Sequence, residues 1–147
     1  MSTLPELHGH WRLDAYHGDE RTPENLLCVI EGDNLITTVG KEMILDRLFG
    51  LSAVGAMTRI GVGTSATAAA VGNTSLTSGV FAAFDTASRS SLVVTAVATF
   101  WTGVANQNWQ ELGMDNGTTL LNRIAPIGPF NKTSAESIVV TVTITQS

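Results

Sequence analysis

Alternation of aliphatic and small polar side chains is clearest near the end of the chain. Between residues 138 and 145 every second residue is isoleucine or valine, and three of the four others are threonine. A period of two residues is that of a β-strand with one buried face. The sequence predicts a closing strand with Ile138, Val140, Val142 and Ile144 on one face and Val139, Thr141, Thr143 and Thr145 on the other.

After Thr38, apolar residues recur with the period of a helix. Thr38 can begin this helix and Gly50 can end it. The pattern predicts one short amphipathic α-helix over about 39–49, with one face packed on a sheet. Its predicted apolar stripe is Val39, Met43, Ile44 and Leu48, and its polar side carries Lys41, Glu42 and Asp46.

Short β-branched runs separated by turn residues fill most of the remaining chain. About seven short strands with turns between them are typical of a β-sandwich or jelly roll. The predicted fold class is therefore mainly β, a single β-sandwich or jelly-roll domain over 25–147, with the helix covering an edge or end. The predicted strands include Leu26–Ile30 and Leu35–Ile36 around a turn at 31–34, and runs at 58–62, 75–84, 91–101 and 118–124.

The first 24 residues are polar and show no clean period. Ordering the backbone of each residue costs about 1–2 kcal/mol of conformational free energy. Burial of the few apolar side chains in this segment would offset little of that cost within one small domain. We therefore predict that residues 1–24 form an extended N-terminal arm that becomes ordered on a neighbouring subunit. The predicted anchors in partner pockets are Leu4, Trp11, Leu13 and Tyr16.

Composition narrows the function classes. The chain has 147 residues and a formal net charge of −5, which argues against a nucleic-acid binder. No apolar run approaches a membrane span, and the polar start lacks the core of a signal peptide, so a cytosol-like compartment is expected. Cys28 is the sole cysteine, so no internal disulfide forms, and we expect its thiol to be buried.

Residues 61–66, G-V-G-T-S-A, fit one form of the dinucleotide-binding fingerprint, and Asp85 follows at a suitable distance. That fingerprint requires a crossover helix, whose N-terminus holds the pyrophosphate. Residues 67–71 provide barely one turn before the turn pair Gly72-Asn73. We predict a loop between strands and no cofactor.

Other candidate constellations are weak. His8, His10 and His17 lack the spacing of a helical zinc site, so a solvated or interface position is expected. Glu111 and Asp115 could face each other as a carboxylate pair, but nothing in the sequence supplies supporting groups. We expect no metal and no enzymatic activity.

Two tryptophans invite a sugar-binding hypothesis. Trp101 and Trp109 flank the amides of residues 106–108, and aromatic faces with amides suit carbohydrates. The alternative is that Trp101 ends a buried strand and Trp109 anchors the next one. Core packing is the preferred interpretation.

Six segments made of turn and strand residues form a further pattern along the chain. They are N-L-I-T-T-V-G (34–40), I-G-V-G-T (60–64), G-N-T-S-L (72–76), W-Q-E-L-G-M (109–114), T-L-L-N-R (119–123) and F-N-K-T-S-A-E-S-I-V-V-T-V-T-I (130–144). With these segments the chain resembles a family of small virion structural proteins of tailed bacteriophages, over roughly residues 33–146. The closing strand departs from that family at Val142, where an aromatic residue is common, and residues before 25 lie outside the resemblance.

The resemblance implies a location in the virion, after synthesis in the bacterial host cytoplasm, and two roles compete. A capsid decoration (cement) protein would bridge subunits of the major capsid protein and associate with itself as a dimer or trimer. A tail or tail-fibre component would join a tail assembly and contact host glycans. The predicted arm and the absence of internal repeats favour decoration.

Overall fold

The structure, a computed structural model, describes residues 6–128 and 130–147. Within these ranges the chain forms eleven strands, one α-helix and one 3-10 turn, and all strand pairs are antiparallel. The predicted mainly β, sandwich-like fold with one short helix is confirmed. The elements are β1 (Leu7–His17), the 3-10 turn (Pro23–Asn25), β2 (Leu26–Ile36), α1 (Thr38–Phe49), β3 (Arg59–Gly63), β4 (Val80–Ala83), β5 (Thr86–Ser90), β6 (Val93–Phe100), β7 (Asn108–Trp109), β8 (Glu111–Asp115), β9 (Leu120–Ile124), β10 (Phe130–Asn131) and β11 (Glu136–Gln146).

Nine of these strands form one curled sheet in the order β4-β3-β8-β9-β2-β1-β11-β6-β5, and β7 pairs with β10 in a separate ribbon. Only Phe84 and Asp85 separate the two edge strands β4 and β5 along the chain. Phe84 N donates to Thr58 O at 3.0 Å, and Asp85 N donates to Val97 O at 2.7 Å. The two ends of the sheet therefore meet at one corner, and the sheet wraps around a single core.

Alternate residues of the strands fill this core. The predicted alternation of the closing strand is confirmed in β11, where Ile138, Val140 and Val142 are buried. Trp109 is also buried, and its ring meets Phe100 edge-on at a centroid distance of 4.9 Å. Among the described residues, the buried apolar side chains are Trp11, Leu13, Ala15, Ile36, Met43, Ile60, Val62, Ala96, Ala98, Phe100, Trp109, Leu112, Met114, Leu120, Leu121, Ile124, Ile127, Ile138, Val140 and Val142.

Cys28 lies at the margin of the core. It stands opposite Ala15 across the β1–β2 pair and is half-buried, which is less than the sequence suggested. Burial nevertheless raises the pKa of the Cys28 thiol. The thiol form is therefore favoured at neutral pH.

Helix α1 begins where predicted, although its N-cap is Thr37 rather than Thr38. The Thr37 hydroxyl accepts from Gly40 N at 3.0 Å and donates to Leu120 O at 2.6 Å, which fixes the helix start on β9. Gly50 ends the helix in the left-handed region at φ 64°. Among the described residues, no helix has the length and apolar character needed to span a membrane.

The predicted N-terminal arm is wrong. Residues 7–17 form β1, which pairs with β11 along its whole length and with β2 on its other side. Trp11 and Leu13 are 2% and 0% exposed in this chain's own core, and Tyr16 is half-buried. These three side chains are therefore not free anchors, and Leu4 lies outside the described residues. Hydrogen bonding on both sides offsets the cost of ordering β1, so the domain includes it rather than beginning at residue 25.

The predicted turn at 31–34 is also wrong, because β2 runs without interruption from Leu26 to Ile36. Glu31 stands opposite Arg12 and Asp33 opposite His10 across the β1–β2 pair. Opposite charges in facing positions stabilise a strand pair. Glu31 and Asp33, interpreted as turn residues, therefore lie on the outer face of a strand.

Candidate functional site

The glycine-rich segment that fits the dinucleotide fingerprint begins in a strand and continues into the predicted loop between strands. Gly61 and Gly63 belong to β3, and residues 64–79 connect β3 to β4 without a helix. Arg123 holds this loop from β9: its Nη1 donates to Asn73 Oδ1 at 3.0 Å, and its Nη2 donates to Thr67 O at 2.9 Å. The segment therefore lacks the helix N-terminus that a pyrophosphate site needs.

Arg123 also forms a buried ion pair with Glu111. Its Nη2 lies 2.6 Å from Glu111 Oε2, and both residues are almost fully buried on the neighbouring strands β8 and β9. Glu111 Oε1 accepts a hydrogen bond from Thr77 N at the far end of the loop. The ion pair thus attaches both halves of residues 64–79 to the sheet, which is a structural role.

Asp115 is paired with a different arginine. Arg59 Nε lies 2.6 Å from Asp115 Oδ1, and the Arg59 guanidinium stacks on the Phe81 ring at 4.0 Å from its centroid. The carboxylate pair considered for Glu111 and Asp115 is therefore not formed. Each carboxylate neutralises an arginine on an adjacent strand instead.

All three histidines of β1 are exposed to solvent. His10 Nδ1 is 3.0 Å from Asp33 Oδ1, and its Nε2 is 3.4 Å from Glu31 Oε1. Hydrogen bonding to Asp33, and then to Glu31, raises the pKa of His10. His8 and His17 are exposed, and in residues 6–128 and 130–147 no three His, Cys, Asp or Glu side chains are placed to hold a metal ion.

Lys132 is a buried cation that sequence reasoning missed. Its ammonium donates to Trp101 O at 2.9 Å and to Asn106 Oδ1 at 2.7 Å, with longer contacts to Thr102 O and Thr133 O. It therefore ties residues 101–106 to the segment after β10. Burial lowers the pKa of Lys132, because the charged form loses hydration. Nothing in the local pattern distinguishes this lysine from an exposed one.

We predict that Lys132 makes stability depend on pH under alkaline conditions. Its folded-state pKa lies below the unfolded value of about 10.5, so the unfolded chain binds more protons between those two values. The free energy of unfolding should therefore rise with pH in that window. Cys28, whose pKa is raised, acts in the opposite direction, so the comparison is with Lys132→Met. In urea titrations at pH 8, 9 and 10, the natural chain should gain stability relative to Lys132→Met as the pH rises, and an equal slope in both proteins would contradict the assignment.

The two tryptophans do not form the sugar-binding surface considered from the sequence. Trp109 is buried and donates from Nε1 to Ala105 O at 2.9 Å, which confirms core packing for this residue. Strand β6 ends at Phe100, so Trp101 does not end a buried strand. Trp101 is half-exposed, with the Arg21 guanidinium 4.9 Å above its ring. The side-chain oxygen of the nearby Asn106 already accepts a hydrogen bond from Lys132.

A cluster of large apolar side chains is exposed at the C-terminal end of α1. Helix residues three and four positions apart are neighbours on the surface, so Leu45, Leu48 and Phe49 lie together. Leu51 follows directly after Gly50. The predicted stripe is wrong at one of them, Leu48, which points to solvent. We call this cluster the α1 patch; its members are Leu45 (55% exposed), Leu48 (73%), Phe49 (69%) and Leu51 (74%).

Two concave surfaces lie beside strand β2. One is a groove of about 710 Å³ between α1 and the adjacent ends of β1 and β2, and Leu45 of the α1 patch contributes to its wall. The other, which we call the β2 cleft, has a volume of about 400 Å³ and separates residues 30–35 from residues 123–127. The cleft exists because β2 pairs with β9 only through Leu35 and Ile36.

Comparison of the chain with protein-family models, with curated proteins and with solved structures finds no match. Among the described residues, the features that internal packing does not explain include the α1 patch and the β2 cleft.

Proposed function

We propose that this chain is a structural protein of a bacteriophage virion, and specifically a capsid decoration protein that docks on the shell of the major capsid protein. The observation that carries the proposal is the α1 patch, whose four side chains are 55–74% exposed. The family resemblance supplies the virion context.

The α1 patch supports docking for an energetic reason. A surface helix ordinarily keeps polar residues on the side away from its sheet, whereas Leu45, Leu48 and Phe49 occupy that side here. Contiguous exposed apolar side chains mark interaction sites on soluble proteins, because covering them removes apolar area from water. Lys41 and Glu42 lie exposed on the preceding turn and supply a charged rim.

We expect the purified chain to bind stoichiometrically and saturably to undecorated, expanded capsids of its own phage. Leu48→Glu combined with Phe49→Glu should weaken this binding by about tenfold or more, since two central apolar anchors are lost. Counting bound copies on capsids and, separately, on tails measures the effect. The variant should unfold at nearly the same temperature as the natural chain, because both side chains are already exposed.

Leu27→Glu is the matched control, because Leu27 is 57% exposed on β2 and lies outside the α1 patch. It should bind capsids like the natural chain. Binding to tails alone would replace decoration with the tail role. Binding to neither particle, or equal weakening by both variants, would overturn the proposal.

A further inference from the structure

The β2 cleft is a candidate ligand site that docking on a capsid does not explain. Its volume of about 400 Å³ falls within the range of about 300–1,000 Å³ that is typical of small-molecule sites. Trp11 and Asn34 form part of its wall on the β1–β2 side, and Ile124 and Ile127 form part of the opposite wall. Both walls are mixed, since Ile30 and Leu35 also line the first and Arg123 lines the second.

Within residues 6–128 and 130–147, three polar atoms of the Trp11 and Asn34 side chains have no hydrogen-bond partner. They are the indole Nε1 of Trp11 and both the Nδ2 and Oδ1 of the Asn34 carboxamide, and all three are buried. Buried polar side-chain atoms are nearly always paired in folded proteins, so a cluster of unpaired ones indicates a site for a further molecule. Trp109 provides the contrast, because its own indole nitrogen is paired within the chain.

Two glycines make room for these side chains. Gly32 stands opposite Trp11, and a Cβ atom at Gly32 would lie 3.1 Å from Trp11 Nε1. Gly9 stands opposite Asn34, and a Cβ atom at Gly9 would lie 1.5 Å from Asn34 Oδ1. The indole and the carboxamide thus lie directly on bare backbone of the neighbouring strand. Larger residues at either position would displace them.

We propose that the β2 cleft binds a neutral saccharide. The unpaired atoms comprise two donors and one acceptor, and sugar hydroxyls can both donate and accept. The lining cation Arg123 is neutralised by Glu111, so it is not available to an anionic ligand. Because the three atoms have almost no exposed area, binding turns the carboxamide of half-buried Asn34 away from Gly9.

Saccharide binding in the β2 cleft is independent of the virion role and is measured on the free chain. Amide and indole resonances of the ¹⁵N-labelled protein are followed while glucose, galactose or N-acetylglucosamine is added, with glucuronate as the anionic probe. With at least one neutral sugar, the Trp11 indole and the Asn34 side-chain resonances should shift together and saturate. The Trp101 indole, half-exposed and outside the cleft, should not move.

Variants identify the contacts. Asn34→Ala and Trp11→Phe should each weaken sugar binding by about tenfold, the loss expected when a polar anchor of a ligand is removed. Asn108→Ala, at an exposed position outside the cleft, should bind like the natural chain. Should Asn34→Ala fail to fold, Trp11→Phe alone decides, because it keeps an aromatic side chain in the core while replacing the indole and its N–H with a smaller phenyl ring. Absence of a saturable shift with every neutral sugar, binding of glucuronate, or unchanged binding by Trp11→Phe would overturn the proposal.

Discussion

Arg123→Met is expected to lower the free energy of unfolding by about 3–5 kcal/mol, the range found when one partner of a buried ion pair is removed. The substitution leaves the Glu111 carboxylate in a site that is almost fully buried, 2.6 Å from where the guanidinium was. It also removes the hydrogen bonds to Asn73 and Thr67 that attach the loop at residues 64–79. Two costs therefore act together, an unpaired buried charge and a detached loop.

Equilibrium unfolding in urea measures this loss, and amide hydrogen exchange in residues 64–79 shows whether the loop is released. Arg12→Met is the matched control. Arg12 Nε lies 2.7 Å from Asp14 Oδ1 on the exposed face of β1, where water replaces the lost contact. Its stability should stay close to that of the natural chain. Equal losses in the two variants would contradict a special role for the buried pair.

A double-mutant cycle separates the two costs. Glu111→Leu combined with Arg123→Met removes both buried charges, so the double variant should lose clearly less stability than the sum of the single losses. The part of the loss that persists in the double variant reports on the loop contacts of Arg123 and Glu111. Full additivity would mean that the two charges do not interact.

The closing strand and the helix could be predicted because their patterns are local. In β11 the buried and less buried positions alternate as the sequence indicates, and α1 ends at the glycine that closes it. Hydrophobic periodicity reports which face is buried, and turn residues report where elements end. Periodicity does not report whether the other face of α1 meets water or a partner, so the exposure of Leu48 and Phe49 was missed.

Strand β1 was missed because the composition of residues 1–24 was considered as a whole. Residues 8–15 do alternate, with Trp11 and Leu13 pointing inward, but the other two inward positions are Gly9 and Ala15. Small residues at two of four buried positions hide the period. Glycine is needed at position 9 because the Asn34 side chain occupies the space of its Cβ, and that partner lies 25 positions away in the chain. A contact of this kind cannot be inferred from local sequence.

Buried charges escaped prediction for a related reason. Glu111, Arg123 and Lys132 lie among strand and turn residues where an exposed position would be the ordinary expectation. Their partners come from other elements, such as Thr77 for Glu111 and Trp101 for Lys132. Only the three-dimensional pairing reveals that each charge connects separate segments of the fold rather than facing solvent.

The position of β1 leads to the second large expected effect: a chain that lacks residues 1–17 should not fold. The deletion exposes the facing edges of β2 and β11 and removes Trp11 and Leu13 from the core. Truncation to alanine alone typically costs about 3–5 kcal/mol for a buried tryptophan and about 2–5 kcal/mol for a leucine. Their sum is comparable to the whole stability of an ordinary domain, about 5–15 kcal/mol. Thermal melts followed by circular dichroism should show no cooperative unfolding transition. The amide resonances of the fragment should show little chemical-shift dispersion.

Strand complementation makes this prediction specific to β1. A synthetic peptide of residues 6–17 should restore the dispersed spectrum of the 18–147 fragment, because an added strand can pair with two waiting edges. The same peptide with Leu13→Asp should fail, since it would place a charge in the core. A peptide with Arg12→Ser should succeed, because Arg12 faces solvent. A truncated chain that folds without any peptide would contradict the central position of β1 and restore the arm hypothesis.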